Sequence, residues 1–450
     1  LLTALIVVNG SQVKSQSINI PVPAGSELFG ESVTVLTNGN YVITDPAYSE
    51  GIMENVGAVY LYNGSTHSLI STLKGTTHLD FNYVKVTALP NGNYVVCIPN
   101  WDDGAIINVG AVTWCNGTTG LSGRVNSSNS LIGNIAESQV GSGDIIILNN
   151  GNYVVRSPLW NNGSSTKIGA VTWGNGSTST TGVLNSSNSI VGSQADDNIG
   201  EKKVVTLNHG NYVVVSPDWD RGDYINAGAV TWGNGTTGTS GVISSSNSLT
   251  GSSTNDQIGS SGITTLTNGN FVVGSPNFIR AGKVAAGAAT WCSGATGKTG
   301  EVSSSNSLVG NEPFERTCQE ITALSNGNYV VRTVNYRKGT IPNVGAVTWA
   351  SGATGIIGNV NSGNSLIGSL TGDYVGSKII ALTNGNYLVS SPQWSNGTAL
   401  RAGAVTWGNG TTGITGTVSA TNSLVGNTLN DRVGESGIIA LCNGNYVVAS

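Results

Sequence analysis

Asn150-Gly151-Asn152-Tyr153-Val154-Val155-Arg156-Ser157-Pro158-Leu159-Trp160 decides the fold, because the chain keeps returning to it. Close copies begin at Asn38, Asn91, His209, Asn268, Asn326, Asn384 and Asn443. The steps between the eight starts are 53, 59, 59, 59, 58, 58 and 59 residues. Two more markers keep the same phase. One is Gly169-Ala170-Val171-Thr172-Trp173-Gly174-Asn175-Gly176. The other is Asn188-Ser189-Ile190-Val191-Gly192, echoed at Asn129, Asn247, Asn306, Asn364 and Asn422. Self-similarity at a fixed period near 58 residues marks a repeat architecture, in which each unit buries its faces against its neighbours.

Within one repeat the pattern is all β. Residues 144–148 form a short apolar run, and residues 153–157 a second one rich in β-branched and aromatic side chains. Asn150-Gly151 between them tolerates positive φ and suits the turn of a hairpin. Pro158 has no N–H to give a ladder, so it ends the second strand. A polar loop at 161–167 leads to a third strand at 169–174. Asn175-Gly176 reads as another hairpin signal, followed by a short polar fourth strand near 182–185. Helical periodicity over ten or so residues is absent. Four antiparallel strands per period describe the blade of a β-propeller. A β-solenoid is the alternative, but its coils are usually much shorter and lack paired hairpin turns.

The repeat implies one domain over residues 1–450 rather than the two or three that this length would suggest. Ala4-Leu5-Ile6-Val7-Val8-Asn9-Gly10 lines up with Ala229-Val230-Thr231-Trp232-Gly233-Asn234-Gly235. The sequence thus opens at a third strand and stops after a second one. The expected architecture is a ring of about eight blades, the last closed by N- and C-terminal strands, with residues 5–8 beside residues 446–448. Seven blades and an open repeat stack are the alternatives. Residues 1–8 are apolar but too short to span a membrane, and they read as a strand.

Composition narrows the function classes. The 64 glycines serve the many turns. Charged residues make up 10% of the chain, against about 25% in ordinary domains, and the net charge is −5. With no cluster of Lys or Arg, neither nucleic acid nor an anionic membrane surface is an expected partner, and membrane insertion is not expected either. Cys97, Cys115, Cys292, Cys318 and Cys442 show no metal-ligand spacing, and His67, His78 and His209 fall at unrelated phases. No metal, cofactor or catalytic triad is expected from them. Cys97 and Cys115 share a repeat, which leaves one disulfide open beside the reading of five small buried residues.

The pattern of Phe-Gly or Val-Gly, a strand, an Asn-Gly turn, a strand ending Ser-Pro, then Gly-Ala-Val resembles the FG-GAP repeats of integrin-α-like propellers. Phe29-Gly30, Asn268-Gly269, Gly274-Ser275-Pro276 and Gly287-Ala288-Ala289 carry it. Asn-Gly-Asn-Tyr-Val-Val with Gly-Ala-Val-Thr-Trp-Gly-Asn-Gly-Thr-Thr-Gly is similar to repeats of very large secreted bacterial surface proteins of the filamentous-haemagglutinin type. That resemblance implies an extracellular or cell-surface location and brings no defined activity. FG-GAP blades often carry an Asp-rich calcium loop where this chain has Thr37-Asn38-Gly39-Asn40. A hard cation wants charged oxygen ligands, so blade-bound calcium is not expected.

The expected function is an extracellular structural or adhesive module without catalytic activity, meeting other surface proteins or copies of itself. The alternatives are a carbohydrate-binding propeller and a propeller glycoside hydrolase. The aromatics two residues past the Ser-Pro corner, Tyr48, Trp101, Trp160, Trp219, Phe278, Tyr336 and Trp394, are the candidate sugar platforms. The competing reading is that each packs against the adjacent blade. Trp114, Trp173, Trp232, Trp291, Trp349 and Trp407 read as inter-blade core. Asp196, Asp197, Asp256, Asp373 and Asp431 read as turn formers, or as carboxylates lining a channel. One atypical stretch, residues 312–320, gathers Glu312, Glu315, Arg316 and Glu320. In a glycosylating host, the sequons at Asn63, Asn116, Asn175, Asn234, Asn396 and Asn409 would carry glycans.

Overall fold

The strands recur as the sequence repeats do. In the computed structural model, which describes residues 19–449, the third repeat builds Ile145–Ile147, Tyr153–Ser157, Ala170–Gly174 and Ser189–Val191 as successive antiparallel neighbours. The pairing expected for residues 4–10 falls outside the described residues. Apart from one 3₁₀ turn at Asn208–Gly210, the described elements are all strands. The described residues form six five-stranded sheets, one of four strands and one of two, all β.

Two compact units emerge, Leu1–Val191 with Gly235–Gly241, and Gly192–Asn234 with Val242–Ser450. In the first, the sheet of Val33–Val35, Tyr41–Asp45, Ala58–Tyr62 and Leu69–Lys74 faces the sheet of Lys85–Ala88, Tyr94–Ile98, Ala111–Cys115 and Leu131–Ile132. Val42, Leu61 and Leu73 of one pack with Tyr94, Val96 and Trp101 of the other. The second sheet then packs on the third, Val95 and Val112 against Tyr153 and Val155. In the second unit the same sandwiching joins Val213 and Val230 to Phe271 and Val273, Val272 and Leu308 to Tyr329 and Val331, and Val330 and Val347 to Tyr387 and Val389. A sheet covered on both faces needs apolar residues on both, which is why Tyr212–Ser216 reads Tyr-Val-Val-Val-Ser and is buried throughout.

One expected strand changes role. The sequence pattern places the fourth antiparallel strand of this blade near residues 182–185. Gly182–Val183 instead runs parallel to Leu131–Ile132 of the preceding repeat. The fourth antiparallel strand is Ser189–Val191, within the third marker. Asn175-Gly176 accordingly opens a link to the previous sheet rather than a hairpin. The same parallel link joins Gly123–Arg124 to Leu69–Lys74, Gly300–Glu301 to Ser248–Thr250, Gly358–Asn359 to Leu308–Val309, and Gly416–Thr417 to Ser365–Ile367. Two residues give too few ladder bonds to stand as an edge, but they cap the outer strand of a neighbour and blunt that edge.

Candidate functional site

The three sequence markers meet where one repeat joins the next. Asn152 Oδ1 accepts the Gly176 N–H of its own repeat at 3.0 Å, and Asn152 Nδ2 donates to the Gly235 carbonyl of the following one at 2.8 Å. Asn150 Nδ2 donates to that same carbonyl at 2.7 Å and Trp173 Nε1 at 2.9 Å. The node recurs at Gly176 with Asn91, Asn93 and Trp114, at Gly352 with Asn268, Asn270 and Trp291, and at Gly410 with Asn326, Asn328 and Trp349. Glycine is required there by space, since a Cβ at Gly176 would lie 2.1 Å from the Gly151 carbonyl oxygen. Gly151 itself sits at φ +84°, the conformation its Asn-Gly context suits.

The Asn-Ser marker works inside the repeat. Asn188 Oδ1 accepts the Asn185 N–H, and its Nδ2 donates to the Val183 carbonyl, holding the loop before the last strand. The buried Thr172 and Ser189 hydroxyls lie 2.6 Å apart across two strands. Equivalent pairs are Thr113 with Ser130, Thr231 with Ser248, Thr290 with Ser307 and Thr348 with Ser365. The two hydroxyls of each such pair satisfy one another, as the low dielectric favours.

The seven candidate sugar platforms are not at a surface. Trp101, Trp160 and Trp219 are 2% exposed, Phe278 and Trp394 4%, Tyr336 6% and Tyr48 8%. Trp160 belongs to the core with Tyr153 and Val155, and Trp394 to the core with Tyr387 and Val389. A pyranose has no face to stack on, so these rings are packing residues and the rim of platforms is corrected. The second tryptophan series sits at the margin of the cores: Trp114, Trp232, Trp291 and Trp349 are half-buried and pack against them, Trp173 is half-buried, and Trp407 is exposed.

The acidic residues hold turns. Asp256 Oδ2 accepts the Ser252 and Ser253 N–H groups, and its Oδ1 accepts the Ile279 N–H. Asp197 and Asp373 repeat this. Two further carboxylates take the same place, Asp80 and Glu315. The sequence signal is an acid two residues before the Val-Gly or Ile-Gly pair, hidden at Glu315 and Asp80 because Thr317-Cys318 and Asn82-Tyr83 stand in place of that pair. Burial pushes the carboxyls of Asp197, Asp256, Glu315 and Asp373 up, outweighing the backbone N–H groups that favour their charge. The atypical stretch is thereby explained piece by piece. Glu315 holds the turn, Glu312 pairs with Lys283 at 2.8 Å, and Glu320 pairs with Arg332 at 2.9 Å.

Among the described residues no group of three or more His, Cys, Asp or Glu converges. All five cysteines are free. Cys97 stands opposite Val112 and Cys115 opposite Tyr94, and the two thiols belong to different core clusters, so they do not pair. The sequon asparagines are half-buried turn residues. Asn63, Asn116 and Asn409 accept two backbone N–H groups each through Oδ1, and Asn175 accepts one. Asn396 Nδ2, the atom a glycan would occupy, donates to the Gly426 carbonyl at 3.0 Å.

A class of protein follows from this geometry, a tandem β-repeat whose signature residues are spent on joining repeats. The chain belongs to the family described as a repeat of unknown function (DUF5650), whose model matches residues 35–71, 88–142, 147–201, 206–260, 265–317, 323–377 and 381–435. No curated protein matches it. Among solved structures it is similar to the computationally designed Ika8 protein, at 13% identity and a TM-score of 0.27, over 89% of this chain and 94% of that one. A likeness of that degree carries no argument about either fold or function.

Proposed function

We propose that the chain is a non-catalytic structural or adhesive β-propeller module displayed outside the cell, its eighth blade shared by the N- and C-terminal strands. The observation that carries this reading is the use of the repeat's signature side chains. Asn150, Asn152, Trp173 and Asn188 recur because they bind one repeat to the next or brace a loop, and the recurrent carboxylates such as Asp256 hold turns, so the conspicuous side chains serve structure. The weakly charged, Asn-, Ser-, Thr- and Gly-rich sequence suits a surface exposed to the medium. Its partners in this reading are other surface proteins or further copies of the chain.

The experiment is to coat beads with the purified chain. The expected result is adhesion between coated beads, or to a surface coated with the chain, that soluble chain competes away. Beads that stay dispersed in both formats would remove the adhesive reading. Release of reducing sugar from neutral polysaccharides by the pure chain would remove the non-catalytic one.

A further inference from the structure

We infer that the groove beside Trp173 is a binding site for a neutral saccharide. It is an open cleft of about 400 Å³ lined by Trp173, Asn175, Thr178, Thr180, Asn188 and Thr239 among others, without one charged residue. The volume is at the lower end of what small-ligand sites occupy, of the order of one or two sugar rings. Trp173 is held rigidly. Its Nε1 donates to the Gly235 carbonyl at 2.9 Å, and Gly238 lies so close that a Cβ there would be 3.2 Å from the indole ring. A half-buried indole that loses no further freedom on binding is a low-entropy surface for the C–H face of a pyranose. The exposed hydroxyls of Thr178, Ser179 and Ser240 offer donors and acceptors to sugar hydroxyls, and the absence of cations argues against phosphate or uronate ligands.

This groove is set apart from its relatives by sequence. The position of Thr180 recurs as Leu121, Thr239, Lys298, Ile356 and Ile414. A junction groove draws that position from two consecutive repeats, and Thr180 with Thr239 is the one consecutive pair in which both are hydroxyl residues. Beside Trp291 the equivalent Lys298 puts its ammonium 5.9 Å from the ring centroid instead. The inference concerns a different tryptophan series from the buried aromatics, and it stands whether or not the module is adhesive.

Isothermal titration of the full chain with maltotriose, cellotriose and chitotriose tests it. Saturable binding of at least one is expected. Thr178→Arg, a change at an exposed wall residue, should weaken that binding at least ten-fold with the thermal midpoint unchanged. Trp173→Phe should weaken it similarly, and if that variant melts early the Thr178→Arg result decides alone. Absence of binding by all three sugars, binding that survives Thr178→Arg, or tighter binding of trigalacturonate than of the neutral probes would overturn the site.

Discussion

Asn152 uses both ends of its amide, accepting from Gly176 and donating to Gly235, so neither Asp nor Leu can replace it. The same holds for Asn270 between Gly294 and Gly352. Asn270→Ala should cost about 1–3 kcal/mol in chemical denaturation, from two lost bonds to buried glycine backbone. Asn270→Asp should cost more, since it aims a carboxylate at the Gly352 carbonyl. Equal losses for both would mean that the donor end carries nothing. The buried acids make a prediction of opposite character. Asp197, Asp256, Glu315 and Asp373 have folded-state carboxyls raised above their unfolded values. Stability from such groups is fully present below the unfolded pKa and lost as pH rises through the folded one. In salt high enough to screen the partly exposed pair Lys74–Glu50 and the exposed pair Lys85–Asp144, the thermal midpoint should climb as pH falls from about 7 toward 4. A midpoint that falls steadily over that range would show that the backbone N–H groups outweigh burial. The residues themselves were conspicuous in the sequence, yet their roles were not. Asn152 and its acceptor Gly235 lie 83 positions apart, and no local rule connects them.

At the scale of elements, the strands with a continuous apolar run were legible, because Tyr153–Ser157 and Ala170–Gly174 are buried on both faces and flanked by turn residues. The two-residue link Gly182–Val183 was not, since its pairing partner belongs to another repeat and its length carries no pattern. The fifth repeat shows how tightly elements are matched. Cys318 is wholly buried and holds φ +77°, where other repeats place Gly141, Gly259 and Gly376. Left-handed backbone costs a non-glycine residue roughly 1–2 kcal/mol. Its sulfur fills space that Gly274 vacates in the strand Phe271–Ser275, for a Cβ on Gly274 would lie 2.9 Å from Cys318 Sγ. Val215 occupies the place of Gly274 one repeat earlier. Gly274→Val alone should therefore destabilise by about 1–3 kcal/mol through overpacking. Combined with Cys318→Gly it should become neutral or stabilising, a coupling that a double-mutant cycle in denaturant reads directly. Additive effects of the two changes would sever the proposed match.

For the whole molecule, the proposed propeller turns on what completes the last sheets. The sheet of Lys378–Ala381, Tyr387–Ser391, Ala404–Gly408 and Ser423–Val425 has four strands, and the hairpin Gly437–Ala440 with Tyr446–Ala449 has two. Trp407 is 42% exposed, Leu424 55%, Ile439 64% and Val447 52%, whereas the residues matching Leu424 and Val447 in other repeats, such as Leu366 and Val330, are fully buried. Such an exposed apolar edge calls for another strand of the same kind. The sequence Ala4-Leu5-Ile6-Val7-Val8 has the pattern of Ala404–Gly408, and Tyr446–Ala449 that of the partner strand Tyr387–Ser391. If the proposed closure holds, the register Tyr387↔Gly408 and Leu388↔Trp407 would set Val8 opposite Tyr446 and Val7 opposite Val447. Directly opposed residues in an antiparallel pair have Cβ atoms about 4.5–5.5 Å apart, near the range a disulfide closes. In a Cys442→Ser background, Val7→Cys with Val447→Cys should oxidise to an intramolecular crosslink, seen as a faster-migrating monomer on non-reducing gels. Shifting one partner to Ile6→Cys should abolish it, because successive side chains point to opposite faces of the sheet. Crosslinked dimers and higher species in place of the monomer would mean that the edge is met by a second copy, and the chain would then be a unit of a longer polymer.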